Sequence, residues 1–252
     1  MSSVTVPSAS AIAPEFGRCL KVTSKALSNY DSSKCLKLAS EDTGTEAEKL
    51  AKGNYQWFPG VVKNKFTTHI KEATIATLET VGGTKVTCTG ETSTGEFTGL
   101  KTIGNMTVHF TGCETNKVKC ESAGAGMGNI TTAALEGPIG FETEVVPPSK
   151  DHVANELHAP GGGHLADFEC VGLTVEVRGS VLHKIAANAM KLTATEKFTA
   201  SKGKQKPEHF AGGTAKEHIL ETSFNHGAFE QSGQTITGIL TGEEKVEVRT
   251  IN

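Results

Sequence analysis

The sequence predicts an all-β protein with little helix, built as an antiparallel sandwich or barrel-like structure. Many short segments alternate apolar and polar residues with a period of two and are rich in Val, Thr, Ile and Phe. Turns that contain glycine separate these segments, and the 28 glycines fit a chain that turns often. Almost no amphipathic helix intervenes, so the strands are expected to pair in antiparallel fashion.

The predicted strands follow one another along the chain, with the clearest alternation at residues 73–81, 105–112, 165–172, 173–182, 191–200 and 244–251. Only residues 45–53, "TEAEKLAKG", resemble a short helix, with acidic residues early and Lys and Gly late. The basic cluster "KGKQK" at 202–206 predicts a solvated hairpin tip. "GAGMGN" at 124–129 predicts a glycine-rich turn, because a dinucleotide loop needs a different glycine spacing and a following helix.

A weak internal repeat divides the β-structure into two halves. "LETVGGTKVTCTG" at 78–90 resembles "FECVGLTVEVRG" at 168–179 with a one-residue gap, and both indicate strand, turn and strand. We therefore expect a first β half at 55–145, a linker or hairpin at 146–163 and a second β half at 164–252, the two halves forming one compact unit. Residues 14–54 are expected to form a loop region around Cys19 and Cys35.

The first 13 residues predict the remnant of a secretion signal, with a disordered N-terminus as the alternative. They are small and apolar and contain the A-x-A pattern that signal peptidase recognises, at Ala9–Ala11 and again at Ala11–Ala13. The sequence thus predicts a secreted or cell-surface protein.

Six cysteines predict three disulfides, as expected of an exported chain. Cys19 and Cys35 bracket a polar loop and are expected to pair. Cys113 and Cys120 flank a short turn and can face each other across a hairpin. That leaves Cys88 for Cys170, a pair that would join the two repeats. The chain has no C-x-x-C pair, so metal or redox chemistry through sulfur is disfavoured.

Bulk composition narrows the possible partners. The 252 residues are 37% hydrophobic and 21% charged, as in globular proteins. The net charge of -3 gives no basic field for nucleic acid, and no stretch approaches the roughly 20 apolar residues of a membrane span. We expect no nucleic-acid partner, no membrane span and no cofactor. The partners left open are a carbohydrate or other cell-envelope component, or further copies of the chain.

Several motifs together resemble those of a known family: "PEFGRC", "YQWFPG", "ATLETVGGTKVTC", "STGEFTG", "VEVRGSV" and "KGKQKPE". The chain is similar to a family of exported proteins that is abundant among high-GC soil actinobacteria and has no assigned activity. The similarity runs from about Pro14 to Val248 and includes all six cysteines. It implies export and carries over no catalytic or binding residue. The sequence departs from the family pattern at 150–164, where histidines and a Pro-Gly-rich turn appear.

Two sets of residues are candidate binding sites. His158, His164 and Asp167 lie close in sequence around a turn, and imidazole with carboxylate suits zinc. Chance proximity is the alternative, since nine histidines are scattered through the chain. Tyr55 and Trp57 lie two residues apart and would share one face of a strand, as a sugar-stacking platform requires. Packing of Trp57 into the sheet interior is the favoured alternative.

The sequence contains no catalytic constellation that we can identify, and this favours a protein that is not an enzyme. No G-x-S-x-G nucleophile motif is present. Glu79 and Glu169 occupy equivalent places in the two repeats and are expected to point outward. We therefore predict a disulfide-stabilised binding or self-associating protein outside the cell. A secreted glycan hydrolase that uses acidic residues, and a structural subunit of an extracellular assembly, are the alternatives.

Overall fold

The computed structural model describes residues 12–23, 29–39, 53–142, 152–211 and 218–251. Apart from one 3₁₀ turn at Pro160–Gly162, all regular structure in these segments is β-strand. The strands are β1 Ile12–Lys21, β2 Tyr55–Pro59, β3 Lys65–Ile70, β4 Ala76–Thr80, β5 Lys85–Cys88, β6 Gly90–Phe97, β7 Thr102–Thr111, β8 Glu114–Thr115, β9 Val118–Lys119, β10 Ile130–Thr131, β11 Leu135–Phe141, β12 Val153–His158, β13 His164–Glu169, β14 Thr174–Ile185, β15 Lys191–Ser201, β16 Lys204–Lys206, β17 Leu220–Phe224 and β18 Glu230–Ile251. The all-β prediction is confirmed. The expected helix lies, except for Gly53, outside the described residues.

Eight of the strands close an antiparallel barrel. Around the ring their order is β7, β6, β3, β18, β15, β14, β12 and β11, and β11 pairs again with β7. We call this the upper ring. Every one of its strands has a partner on both sides, so the ring has no free edge.

A second closed set of pairings, which we call the lower ring, adjoins the first. It runs β13, β14, β17, β18, β4, β5, β8 and β9. An isolated bridge between Glu121 and Glu169 returns it to β13. The strands β14 and β18 belong to both rings. Each ring therefore contains strands from both predicted halves of the sequence.

The repeated segments both form hairpins of the lower ring. β4 and β5 pair with Leu78 opposite Val86, and β13 and β14 pair with Phe168 opposite Val175. Seven residues separate Leu78 from Val86 and six separate Phe168 from Val175, which matches the one-residue gap in the sequence alignment. The strand–turn–strand prediction is confirmed at both places.

Two local predictions need correction. Residues 153–158, assigned to a linker or hairpin, form β12 in the wall of the upper ring. The "KGKQK" segment does form the turn of the β15–β16 hairpin, but its Gln205 is completely buried rather than solvated. The Gln205 amide donates to the Leu182 carbonyl oxygen at 3.1 Å, and its side-chain oxygen accepts from the Gln234 amide at 3.1 Å. A glutamine whose amide and oxygen both find partners this way is stable inside.

The structure forms three disulfides, and two of them differ from the prediction. Cys19–Cys35 is confirmed. The predicted Cys113–Cys120 and Cys88–Cys170 pairs are wrong, because the bonds are Cys88–Cys113 and Cys120–Cys170.

The pairing follows from strand register. Thr87 lies opposite Glu114, so Cys88 faces Cys113 directly. The Glu121–Glu169 bridge places Cys120 opposite Cys170 in the same way. Cys113 and Cys120 do lie side by side, as predicted, with the Cys120 amide donating to the Cys113 carbonyl oxygen at 3.1 Å. The four cysteines thus form a row across neighbouring strands, in the order Cys88, Cys113, Cys120 and Cys170. One bond joins the first two and another joins the last two, so all four are in disulfides.

The core fills the barrel with the inward residues of each strand. In β6, for example, positions 91, 93, 95 and 97 are buried while 92 and 94 are exposed. The main hydrophobic cluster contains Phe66, Phe97, Met106, Leu157, Phe198 and many branched residues. Trp57 of β2 and the disulfide between Cys19 of β1 and Cys35 form a separate small cluster. Such alternation produces a polar outside and an apolar inside from one strand.

Candidate functional site

A cavity of about 120 Å³ lies inside the barrel. Both rings contribute to its wall, and none of the residues that line it is exposed. Most of its lining is apolar, with Ala76, Val86, Met106, Val108 and Phe168 among the wall residues. We call this space the inner cavity. An eight-stranded barrel is just wide enough for side chains to fill it or for one small ligand.

Two carboxyl groups reach this cavity from the strands of the upper ring. Glu91 on β6 is 6% exposed and Glu196 on β15 is 8% exposed. Gly238 on β18 lies opposite Glu196, and a Cβ atom at Gly238 would lie 4.0 Å from Glu91 Oε2. Gly238 therefore lies on the barrel wall beside the Glu91 carboxyl.

Glu91 is held by a short hydrogen-bonded chain. The Thr68 hydroxyl donates to Glu91 Oε1 at 2.6 Å and lies 2.6 Å from the Ser93 hydroxyl. Burial raises the pKa of Glu91; the hydrogen bond from Thr68 opposes this rise, and the nearby charge of Glu196 adds to it. Glu91 therefore keeps its proton to a higher pH than an ordinary glutamate side chain does.

A second cavity of about 90 Å³, the outer cavity, lies on the other side of Glu196. Its wall includes Phe66, Phe97, Asn155 and His183, and it reaches the exposed residues Lys191 and Leu192. Glu196 is the residue that lines both cavities. The outer cavity therefore extends from Glu196 to the surface at the start of β15.

His183 is a buried polar side chain in the wall of the outer cavity. It is 2% exposed, and its ring lies 4.6 Å from that of Phe198, centroid to centroid. Its Nε2 atom lies 3.4 Å from Glu196 Oε1, yet neither ring nitrogen makes a hydrogen bond to any described residue. Such a group can still accept or donate one bond to a bound molecule.

Ser180, His218 and Glu156 superficially resemble a hydrolytic triad. The His218 Nδ1 atom lies 2.8 Å from Glu156 Oε1 and 3.5 Å from the Ser180 hydroxyl. Both contacts use the same ring nitrogen, whereas a triad needs one imidazole nitrogen to take the serine proton and the other to be held by the carboxylate. Burial works against ionisation of Glu156, but hydrogen bonding and charge from His218, the charge of His158 and a bond from Ser180 hold its pKa below the usual range. The group is a buried structural network.

Trp57 is a packing residue. It is 5% exposed, its indole nitrogen donates to Glu15 Oε1 at 2.7 Å, and the Arg249 guanidinium lies 4.1 Å from its ring centroid. Tyr55 is half-buried against the same cluster. Trp57 is thus packed in the interior, which was the favoured alternative from the sequence. The Tyr55 and Trp57 side chains therefore present no flat exposed platform for a sugar.

The structure brings together two of the three predicted metal-binding residues. His164 Nδ1 and Asp167 Oδ1 lie 2.6 Å apart on the outer face of β13. Glu176 completes the group, and ligand atoms of the three residues lie within 4.8 Å of one another. His158 lies elsewhere, with its Nδ1 atom 3.6 Å from Glu156 Oε1.

The symmetry-related glutamates lie on strands that do not pair. Glu79 on β4 forms an ion pair with Lys85 at 3.3 Å, and Glu169 on β13 is exposed. They form no acid–base pair of the kind that glycoside hydrolysis requires.

Sequence reasoning missed the interior carboxyls and His183. A signal was present, because Glu91 shares the alternation phase of Phe97, and Glu196 shares that of Phe198. A charged residue in the apolar phase of a strand points to a polar group inside the barrel.

The fold and these sites define a disulfide-linked antiparallel β-barrel with internal cavities. No family model, curated protein or solved structure matches the chain. Among the segments that the structure describes, no helix is both long and apolar enough to cross a membrane.

Proposed function

We propose that this protein is an exported, non-catalytic binding protein that holds one small, mainly apolar molecule inside its barrel. The observation that carries the proposal is the inner cavity, which both rings enclose with apolar side chains. Three disulfides are typical of proteins that work outside the cell, and they support the export part of the proposal.

The cavity volume sets the size of the ligand. Apolar cavities of about 150 Å³ accept benzene in other proteins. The inner cavity, at about 120 Å³, suits a molecule built on a single ring or a short branched chain. The apolar wall would supply most of the binding free energy.

The two carboxyl groups in the wall of the inner cavity, Glu91 and Glu196, determine which polar groups a ligand can carry. The Glu196 carboxyl can accept hydrogen bonds, and the Glu91 carboxyl, whose pKa is raised by burial, can donate or accept one. A ligand hydroxyl at the Glu196 end of the inner cavity would therefore find a partner, whereas a carboxylate would meet two acidic groups. We expect small alcohols or phenols to bind better than the unsubstituted hydrocarbon.

The alternatives have less support. The closed upper ring leaves no strand edge of its own for copies to pair with, so a polymerising subunit would have to use the outer strands β2 and β16, each of which pairs with one strand among the described residues. The hydrolase alternative needs paired carboxyls in an open cleft, whereas Glu91 and Glu196 lie in the barrel interior.

We would test the proposal by titrating phenol and benzene into protein labelled at the methionine methyl groups. Met106 lines the inner cavity, and Met127 is 76% exposed at the surface. Phenol is expected to shift the Met106 methyl resonance saturably, to leave Met127 unchanged, and to bind several-fold more tightly than benzene.

A matched pair of variants locates the binding. Ala76→Leu fills the inner cavity and is expected to weaken phenol binding at least tenfold, whereas Ala133→Leu adds the same group at an exposed position and leaves binding unchanged. Ala166→Leu is a second filling variant if Ala76→Leu folds poorly. Absence of a saturable Met106 shift, or equal binding by all three variants, would mean that the cavity is only a packing defect.

A further inference from the structure

The outer face of the lower ring carries a cluster of imidazole and carboxylate groups. Asp167 on β13 lies directly opposite Glu176 on β14, and His164 lies on the same face of β13. Phe168 and Val175, which alternate with these residues, point into the core. The cluster is therefore separated from the interior cavities by the barrel wall.

A second histidine joins the cluster from a distant part of the chain. His226 lies in the turn between β17 and β18, and its Nδ1 atom is 2.9 Å from Glu176 Oε1. Together with the group formed by His164, Asp167 and Glu176, this gives two nitrogen and two oxygen ligands from three segments.

The nearest strong cation is engaged elsewhere. Arg178 lies opposite His164 in the β13–β14 pairing, but its Nε atom donates to Glu221 Oε2 at 2.9 Å and its guanidinium lies 3.7 Å from the Phe229 ring centroid. Within the described residues, only histidines form ion pairs with Asp167 and Glu176. The two carboxylates are thus not neutralised by a lysine or arginine.

We propose that His164, Asp167, Glu176 and His226 bind one Zn²⁺ ion on the outside of the barrel. Two imidazoles and two carboxylates form a four-ligand set suited to tetrahedral zinc, whereas Ca²⁺ takes six to eight oxygen ligands. In a tetrahedral site with bonds of about 2.0 Å, neighbouring ligand atoms lie about 3.3 Å apart. The ligand atoms of His164, Asp167 and Glu176 lie within 4.8 Å of one another, and His226 Nδ1 lies 2.9 Å from Glu176 Oε1, so the side chains would rotate to that spacing when the ion binds.

The ion would cross-link segments of the lower ring. It would tie β13 and β14 to the β17–β18 turn, three segments that span residues 164–226. Ligands this far apart in sequence can meet only in the folded chain, so Zn²⁺ is expected to raise the melting temperature of the whole protein.

The test is calorimetric titration of Zn²⁺ into the untagged, disulfide-bonded protein. One ion per chain is expected to bind, with Ca²⁺ giving no heat. His164→Ala and Asp167→Asn are each expected to weaken Zn²⁺ binding at least tenfold and to abolish the rise in melting temperature.

His152→Ala is the matched control, because His152 also lies beside a carboxyl, with its Nδ1 atom 3.7 Å from Glu142 Oε2, but outside the cluster. This variant is expected to bind Zn²⁺ as the unmodified protein does. X-ray absorption at the zinc edge should report four nitrogen or oxygen neighbours at about 2.0 Å. No stoichiometric binding, or equal loss in His152→Ala and His164→Ala, would overturn the proposal.

Discussion

Glu247 shows how a single buried acid influences the stability of the barrel. It lies on β18 opposite Gly17, is 1% exposed, and accepts no hydrogen bond at either oxygen from the described residues. Burial raises the pKa of Glu247 to about 7, even though the positive charges of Arg249 and Lys34 favour the ionised form. The folded protein therefore holds this proton more tightly than the unfolded chain does.

This raised pKa fixes the sign of a pH effect. A group whose pKa is raised by folding contributes its stability below the unfolded value and loses it as the pH rises through the folded value. We expect the free energy of unfolding to fall by up to about 3 kcal/mol between pH 5 and pH 8. Glu247→Gln should match the unmodified protein at pH 5 and exceed it at pH 8 in urea unfolding.

Glu243→Gln is the control for this prediction, because Glu243 lies on the same strand and is exposed. It should keep the pH dependence of the unmodified protein. Glu91, whose pKa is also raised, would leave a smaller pH dependence of the same sign in Glu247→Gln. If the unfolding free energy of Glu247→Gln fell between pH 5 and pH 8 by as much as that of the unmodified protein, the assignment would be contradicted.

The strand elements were largely predictable, and β12 shows why one was not. Alternation of apolar and polar residues located β4, β7, β13, β14, β15 and the end of β18. In β12, residues 153–157 are all buried. Leu157 faces the barrel interior, while Ala154 packs with Leu182 and Phe210 in a separate cluster. A strand covered on both faces loses the period-two signal.

The strand β14 changes partners at Gly179, and this position needs glycine. Residues up to Gly179 pair with β17, and the next residues pair with β12. Gly179 has a φ of +93°, and a Cβ atom there would clash with the Ile219 carbonyl oxygen. Both the backbone conformation and the close approach exclude a side chain.

Two glycine substitutions separate these effects. Gly172 has a φ of +80°, and no atom lies within 4 Å of the position that a Cβ would take, so Gly172→Ala should cost only about 1 kcal/mol of backbone strain. Gly179→Ala adds a steric clash and should cost about 3 kcal/mol or more. Chemical denaturation of both variants measures the difference. Equal losses would mean that the Ile219 carbonyl moves aside without cost.

At the scale of the whole molecule, the sequence predicted the presence of three disulfides but not how two of them pair. Local spacing correctly places Cys113 beside Cys120, but a bond between these two would leave Cys88 and Cys170 unpaired at opposite ends of the row. All four cysteines form disulfides only when each end cysteine bonds to its neighbour. The position of that row depends on the β5–β8 pairing and on the Glu121–Glu169 bridge. Both are long-range contacts, which spacing along the chain does not reveal.

The candidate sites, too, were predictable only where their residues lie close together in the sequence. His164 and Asp167 are near neighbours in sequence and were found, whereas Glu176 and His226 reach the cluster through strand pairing. The inner cavity could not be predicted, because its wall combines residues from strands that meet only when both rings close.

The disulfide assignment predicts both a peptide map and a stability order. Non-reducing peptide mapping should recover Cys88–Cys113 and Cys120–Cys170 crosslinks. The loop of 50 residues closed by Cys120–Cys170 is worth about 4 kcal/mol in loop-closure entropy, and the 16-residue loop closed by Cys19–Cys35 about 3 kcal/mol. Replacing both members of each pair by alanine should reproduce this order in urea unfolding, and recovery of a Cys88–Cys170 peptide would refute the assignment.

The sharing of β14 and β18 by both rings has a consequence for how the chain folds. β18 pairs with β3, β4, β15 and β17, and its end pairs with β1, so its contacts span nearly the whole sequence. Local hairpins such as β4–β5 can form early, but neither ring can close before the last strand arrives. Such a high mean sequence separation between contacting residues makes folding slow and places barrel closure at its final step.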